Sequence, residues 1–387
     1  MVTIAEERVV RPPDTAAVSA VLAEATEAGR TVAVRGAGTK DHWGGPLVPA
    51  DVVLATTRLT GVVMHEPDDL VATVRAGTPL RDLQAVLGLQ GQRLALSSGY
   101  PQATVGGVLS TGEAGPLRLR HGAGRDLLIG VEFVRADGVV AHAGGRVVKN
   151  VAGYDLGRLL CGAYGTVGVI TEATFKLQPI PPASAWVVAP LASEVDLAPL
   201  ATAAQSPSVA PSAIEVDLGP DGAGSLAVLV EGTPAGVAAR AAALVGTLGP
   251  RSSVVDEAPA GWGDYPFGPG DVGLTIASPV SALPTVIATL RRHLDGAVRV
   301  RGSAGAGVVH AAVAPTVPVP DLATAVREVR ALLEGSGGSC VLTCAPETVT
   351  STVDRWGPVA GLALMRRVKA QFDPAGRFAA GRFVGGI

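Results

Sequence analysis

Thr31–Gly45, "TVAVRGAGTKDHWGG", runs a short apolar strand into a glycine-rich loop that carries almost no carboxylate. Loops of this composition hold phosphate, and the residues after the glycines decide between folds. A Rossmann turn needs G-x-G-x-x-G opening directly into a helix. Gly36-Ala37-Gly38-Thr39-Lys40-Asp41 lacks the third glycine, and the "HWGGPL" after it breaks any helix. The P-loop pattern G-x-x-x-x-G-K-[ST] is absent as well. The mode left for an anion is a nest, in which successive backbone N–H groups converge and glycine permits positive φ. Arg35 and Lys40 would add positive charge. Taken by itself, a G-x-G is more often a plain turn between strands than a ligand site.

Working outward, "DTAAVSAVLAEATEA" before the loop reads as a helix capped by Asp14, with Val18, Val21, Leu22 and Ala25 on one face and Gly29 as its stop. "DVVLATT" is a second strand, and "GVVMHEPDDLVATVRAG" is two strands around Pro67 and Asp68. "TPLRDLQAVLG" is a helix with Thr78 as cap and Pro79 in its first turn. "DLLIGVEFVRADGVVAHAGG" is a hairpin turning at Asp137-Gly138. Three further stretches share the character of the first loop: "SSGYPQATVGGVLSTGEAGP" (97–116), "RHGAGRD", and "CGAYGTVGVITEATFKL" (161–177). Their recurrence predicts close approach of backbone to something large and flat, such as a dinucleotide with a tricyclic ring.

The proline cluster "PIPPAS" (179–184) marks a domain boundary. Beyond it, strands at 185–191, 213–218, 224–231, 271–277, 296–301, 307–313 and 339–344 alternate with helices near 193–204, 233–247, 281–293 and 320–334. This order suits an antiparallel sheet with helices on one face.

The length of 387 residues calls for two or three domains. A net charge of −3 without a basic stripe, and 4% aromatics, argue against nucleic-acid binding. The charged fraction, 17%, is low, which fits a surface that meets partner subunits and fits an Ala-rich composition bias about as well. Cys161, Cys340 and Cys344 form no framework, and the pair Cys340 and Cys344, on an apolar stretch, reads as buried thiols rather than metal ligands. The N-terminus lacks the apolar core of a signal peptide, and no apolar stretch is long enough to span a membrane, so a cytoplasmic location is expected.

In their order, "AVRGAGTK", "ATVGGVLSTGEAGP", "HGAGRD", "FVRADGVV" and "KNVAGYDLGRLLCGAYGTVGVITEATFKL" resemble the FAD-binding domain of the vanillyl-alcohol oxidase (PCMH-type) flavoprotein superfamily over roughly residues 10–180. The tail "LALMRRVKAQFDPAGRFAAGRFVGGI" narrows this to a resemblance to the FAD-binding E-type subunits of bacterial glycolate oxidases, relatives of D-2-hydroxyacid dehydrogenases. The resemblance implies an α+β protein in three parts. Residues 1–180 would form a two-subdomain PCMH-type FAD-binding domain. Residues 181–350 would form an α+β cap or substrate domain with an antiparallel sheet, and 351–387 would pack back on the FAD domain.

By the same resemblance, Arg35, Gly36, Ala37, Gly38, Thr39 and Lys40 wrap the FAD diphosphate. Gly99, Thr104, Gly106, Gly107, Ser110 and Thr111 pass along the flavin and phosphates. Gly165, Gly168, Val169 and Ile170 meet the ribose and adenine side. Thr39 stands where many relatives carry a histidine bonded covalently to the flavin, so non-covalent FAD is expected. His121, in "RHGAG", is another histidine in a candidate flavin loop. Lys149, Asn150 and Tyr154 are implied active-site neighbours, while Asp155 reads as a helix cap. The implied reaction is hydride transfer from a small 2-hydroxyacid such as glycolate or D-lactate to flavin, beside a larger flavoprotein subunit and an iron–sulfur subunit. Membrane association would come only through those partners.

The pattern departs in one place. Relatives that oxidise D-2-hydroxyacids carry "GHxGDGNxH", whose histidines serve a divalent metal. Here "RGSAGAGVVH" (301–310) keeps Gly302, Gly305, Gly307 and His310 but puts Ser303, Ala306 and Val308 at the histidine, aspartate and asparagine positions. No bound metal is expected, and His310, His65 and His142 read as structural. Two functions remain open: a 2-hydroxyacid oxidoreductase subunit, or an FAD-binding, non-catalytic or electron-relay partner in a flavoprotein complex. An independent oxidase of sugars or alcohols is disfavoured by the tail.

Overall fold

A computed structural model describes residues 9–46, 49–146 and 155–387. Its contacts divide the chain into two units, one of residues 1–114, 121–180 and 359–387, the other of 115–120 and 181–358.

The first unit contains two main sheets. Val32–Arg35 pairs in parallel with Val52–Ala55, which pairs on its other side with Val9–Val10. A five-stranded antiparallel sheet has the order Val62–Glu66, Val71–Arg75, Val169–Lys176, Leu128–Val134, Val140–Gly144. The helix Thr15–Glu27 begins where Asp14 accepts the Ala17 N–H at 2.8 Å. Its apolar stripe, Val18, Leu22 and Ala25, buries against Leu54, Leu59, Val134 and Val169. Glu132 fastens the same helix to the larger sheet by accepting from Thr15 (2.6 Å) and Thr171 (2.7 Å), and His142 Nε2 lies 2.9 Å from its other oxygen.

The expected hairpin is present, with Gly138 at φ +84° in its turn. Two local expectations change. Thr78 does not cap the next helix. Its hydroxyl accepts the Gly61 N–H at 2.9 Å, and Leu80–Gly88 starts after Pro79. The strand read through Thr57 ends at Ala55, where a 3-10 turn, Thr56–Arg58, takes over.

The C-terminal segment extends the small parallel sheet. Val32 donates to the Arg377 carbonyl, and Ala379 donates back to Val32. Lys369, on the helix Leu362–Phe372, anchors this return. Its buried Nζ pairs with Asp373 at 2.7 Å and donates to the carbonyls of Thr166 (2.8 Å) and Phe378 (2.6 Å). Asp373 in turn accepts the amides of Arg377 and Phe378.

The second unit is an eight-stranded antiparallel sheet in the order Ser253–Val255, Ala183–Leu191, Gly224–Gly232, Ala213–Leu218, Val298–Ser303, Val308–Val313, Val272–Ala277, Ser339–Cys344. The helices Leu197–Ala204, Pro234–Leu248, Leu283–His293 and Val319–Leu333 share its main core. Two features go beyond the sequence reading. The edge strand Ser253–Val255 is too short to show a period. Gly115–Arg120 belongs to this unit, with Leu119 packed on its core.

Removing one partner of a buried ion pair leaves the other charge without compensation, which costs about 3–5 kcal/mol. Lys369→Met is therefore expected to destabilise the first unit by a loss of that order and to free residues 359–387. Denaturant melts and limited proteolysis of the full chain check this; unchanged protease resistance of the tail would refute it.

Candidate cofactor site

The loop after Val32–Arg35 lines a cleft of about 710 Å³, open to solvent, within the first unit. The segment 36–41, the helix Val105–Thr111 and the entry to Val169–Lys176 form its walls. Every residue assigned to the cofactor lines this cleft except Gly99. The amide of Gly99 points elsewhere, to the Glu113 carboxylate at 3.2 Å.

The helix amides facing this region are already used. Val105 donates to Thr78, Gly106 to Ala76, and Gly107 to the capping hydroxyl of Thr104. Among the described residues, the amides of Ala37, Gly38, Thr39 and Lys40 donate to no group of the chain. The free donors therefore belong to the loop, as the failed Rossmann spacing required. Gly38 holds φ +75°, the left-handed conformation that lets such a run of amides turn.

The lining also fits a large planar ligand. Gly107 would carry a Cβ into space whose only neighbour within 4 Å is the Thr104 hydroxyl, at 3.1 Å. At Gly165 the nearest atom is Val34 Cβ, at 3.8 Å. Arg35 Nε is buried without a hydrogen-bond partner, although the guanidinium reaches Asp41 at 2.5 Å. Free amides, absent side chains and an orphaned guanidinium nitrogen together suit an anionic dinucleotide.

Lys40 lies on the cleft wall, and its ammonium has a partner within the chain. It is buried and pairs with Glu113 Oε2 at 2.6 Å, with the Trp43 and Tyr100 rings 5.9 and 5.6 Å away. Glu113 was not singled out in the sequence, because a lone glutamate in "STGEAGP" gives no signal. Arg382 was missed too. It lines the cleft and donates to the carbonyls of Asp41 (3.2 Å) and Gly45. Only the returning tail places it there.

The cleft lining includes no histidine among the described residues. Lys149, Asn150 and Tyr154 lie outside the described residues. Asp155 caps the helix Leu156–Leu160, accepting the Arg158 N–H at 3.0 Å. His65 bonds to Gln92 at 2.9 Å and sits in a strand, as does His142. Burial pushes the thiols of Cys161, Cys340 and Cys344 up to about 12, away from the thiolate form.

In the second unit, the former motif lies on the strands Val298–Ser303 and Val308–Val313 and the turn between them. His310 Nδ1 is 3.1 Å from the Thr275 hydroxyl, and Tyr265 stands edge-on with ring centroids 4.7 Å apart. Burial, with the charge of Arg118 adding to it, pushes the imidazole down to about 3. Glu215, opposite Ser303 in the sheet register, is buried, and burial pushes its carboxyl up to about 8. Its Oε1 has no hydrogen-bond partner. Among the described residues there is no group of three or more His, Cys, Asp or Glu side chains able to hold a metal.

Residues 7–144 match the family model described as FAD binding domain, and residues 352–383 match the FAD linked oxidases, C-terminal domain. The chain is 39% identical over 153 residues to glycolate oxidase subunit GlcE of Escherichia coli, covering 39% of this chain and 43% of that protein. It is 36% identical over 171 residues to a D-lactate dehydrogenase of Archaeoglobus fulgidus, covering 44% and 38%. Glycolate oxidase subunit GlcD of Bacillus subtilis is 32% identical over 176 residues, covering 45% and 37%. The matches thus span less than half the length of each of these relatives. An alkyldihydroxyacetonephosphate synthase structure shares the fold, with a TM-score of 0.68 at 16% identity over 95% of this chain and 74% of that one.

Gly107→Ala adds a methyl to the cleft and raises helix propensity by up to about 1 kcal/mol. Cofactor affinity should fall at least tenfold while the melting temperature without cofactor holds or rises; unchanged affinity in a titration counts against the cleft. In the second unit, Glu215 keeps its proton on folding up to pH about 8, whereas its ordinary value is 4.5. Its contribution to stability is therefore full below 4.5 and is lost as pH rises through 8. Glu215→Gln should melt like the parent at pH 4.5 and progressively higher than it toward pH 8, in calorimetry of the full chain.

Proposed function

We propose that this chain, built on a PCMH-type FAD-binding domain, is a subunit of a glycolate oxidase-like complex that oxidises a small 2-hydroxyacid. The observation that supports this most is the run of unpaired amides, 37–40, lining a cleft floored by glycine. Those amides would hold the FAD diphosphate, with Arg35 beside them. Gly107 and Gly165 would let the ring system lie against backbone.

When bound, FAD supplies a two-electron acceptor for the hydride on the hydroxyl-bearing carbon. The chain supplies orientation and exclusion of water. Lys149, Asn150 and Tyr154 are proposed to meet the substrate. Cofactor binding is proposed to be non-covalent, since Thr39 offers a hydroxyl rather than an imidazole and no histidine lines the cleft among the described residues. A larger flavoprotein subunit and an iron–sulfur subunit are the proposed partners. The proposed location is cytoplasmic, at a membrane only through those partners; no helix among the described residues is long and apolar enough to cross one.

Ser303, Ala306 and Val308, in place of metal-binding and acidic residues, support a second reading, in which the chain binds FAD but relays electrons for a catalytic neighbour. One experiment separates the two. The purified chain is loaded with FAD and mixed anaerobically with glycolate or D-lactate. Bleaching of the flavin absorbance by the chain alone supports the oxidoreductase; bleaching only after the partner subunits are added supports the relay. Acid precipitation should leave the pellet colourless and the flavin in solution.

A further inference from the structure

We infer that Glu113 and Lys40 form a clasp that sets the cofactor loops against each other, so that Lys40 is a positioning residue and not a phosphate ligand. The inference rests on the proposed reading of loop 36–41 as a diphosphate nest.

Glu113 joins three stretches of chain that are distant in sequence. Oε2 accepts from Lys40 at 2.6 Å, while Oε1 accepts from the Ser98 hydroxyl at 2.8 Å and the Gly99 amide at 3.2 Å. The carboxylate itself is fixed from behind. Gly112 ends the helix Val105–Thr111 in the left-handed conformation at φ +67°, and the Glu113 amide donates to Val108 at 3.1 Å. The glutamate therefore stands at a set point beyond the helix that forms one wall of the cleft.

Side-chain exposure is 5% at Lys40 and 1% at Glu113, so neither charge is shared with water. Tyr100 extends the clasp. Its hydroxyl lies 3.2 Å from Trp43 Nε1 and 3.1 Å from His42 Nε2, both just past the loop. A lysine committed in this way removes its own charge from the loop and fixes the end of the run of amides beginning at Ala37.

The two roles for Lys40 predict opposite effects of one substitution. Glu113→Gln keeps an acceptor for Ser98 and Gly99 but withdraws the negative charge from Lys40. A phosphate-binding lysine would thereby be released, and FAD and ADP would bind more tightly. A clasp would loosen, and both would bind at least tenfold more weakly. Isothermal titration of the full chain with FAD and with ADP reads this directly, and the flavin visible spectrum reports whether the ring environment changes too.

Lys40→Met/Glu113→Leu guards against simple unfolding. An apolar pair of similar volume often preserves stability in place of a buried ion pair, yet here it removes the anchors of Ser98 and Gly99. A cooperative melt near that of the parent, with FAD affinity down at least tenfold, supports the clasp. A folded double variant that binds FAD like the parent, or tighter binding by Glu113→Gln, overturns it. Failure of the parent chain itself to bind FAD or ADP would instead sink the nest reading.

Discussion

A loop can offer bare amides to a ligand only if its other polar groups are satisfied by the protein. Here the Asp41 carboxylate is met by Arg35 and the Lys40 ammonium by Glu113. The carbonyls of Asp41 and Gly45 are met by Arg382. Among the described residues, the N–H groups from Ala37 to Lys40 are left without an acceptor in the chain, and so is Arg35 Nε. What is left open around the cleft is a set of N–H donors, and such a set suits an anion. The tail, through Arg382, and the helix that begins after Thr104, through Glu113 beyond its end, both serve this arrangement.

The returning segment illustrates how indirectly this works. Its helix holds Lys369, a buried cation that donates to carbonyls of both Thr166 and Phe378. That fixes residues 377–379 along the strand Val32–Arg35, and Arg382 is thereby carried onto the loop carbonyls. The strand leads into the cofactor loop on one side of this chain of contacts. The entry to Val169–Lys176, on the other wall of the cleft, comes just after Thr166. One lysine thus ties both walls to the tail, although it touches no part of the cleft lining.

The second unit divides its sheet by face. Ile214, Val216 and Leu218 turn toward the helices, while Glu215 and Asp217 alternate to the other side. There Asp217 receives both Arg299 and Arg301, and burial keeps His310 neutral and Glu215 protonated. On this face Glu215 and Ser303 are buried, whereas Asp217, Arg301 and His310 are half-buried and Arg299 is exposed. The substitutions at Ser303, Ala306 and Val308 leave it without the ligand set that a divalent metal needs.

Strand and helix positions were legible because each has a local cause. Alternation placed every strand of the eight-stranded sheet except Ser253–Val255, Asp14 and Asp155 announced their helices, and Asp137-Gly138 its hairpin. The glycine loops identified the cofactor class, since close approach of backbone leaves a mark in composition. The sequence could not show that Lys40 turns to Glu113, that Arg382 reaches the loop, or that Gly115–Arg120 joins the second unit. Those outcomes depend on which groups meet across long stretches of chain. A buried charge selects its partner by three-dimensional distance and desolvation, and neither is written in neighbouring residues.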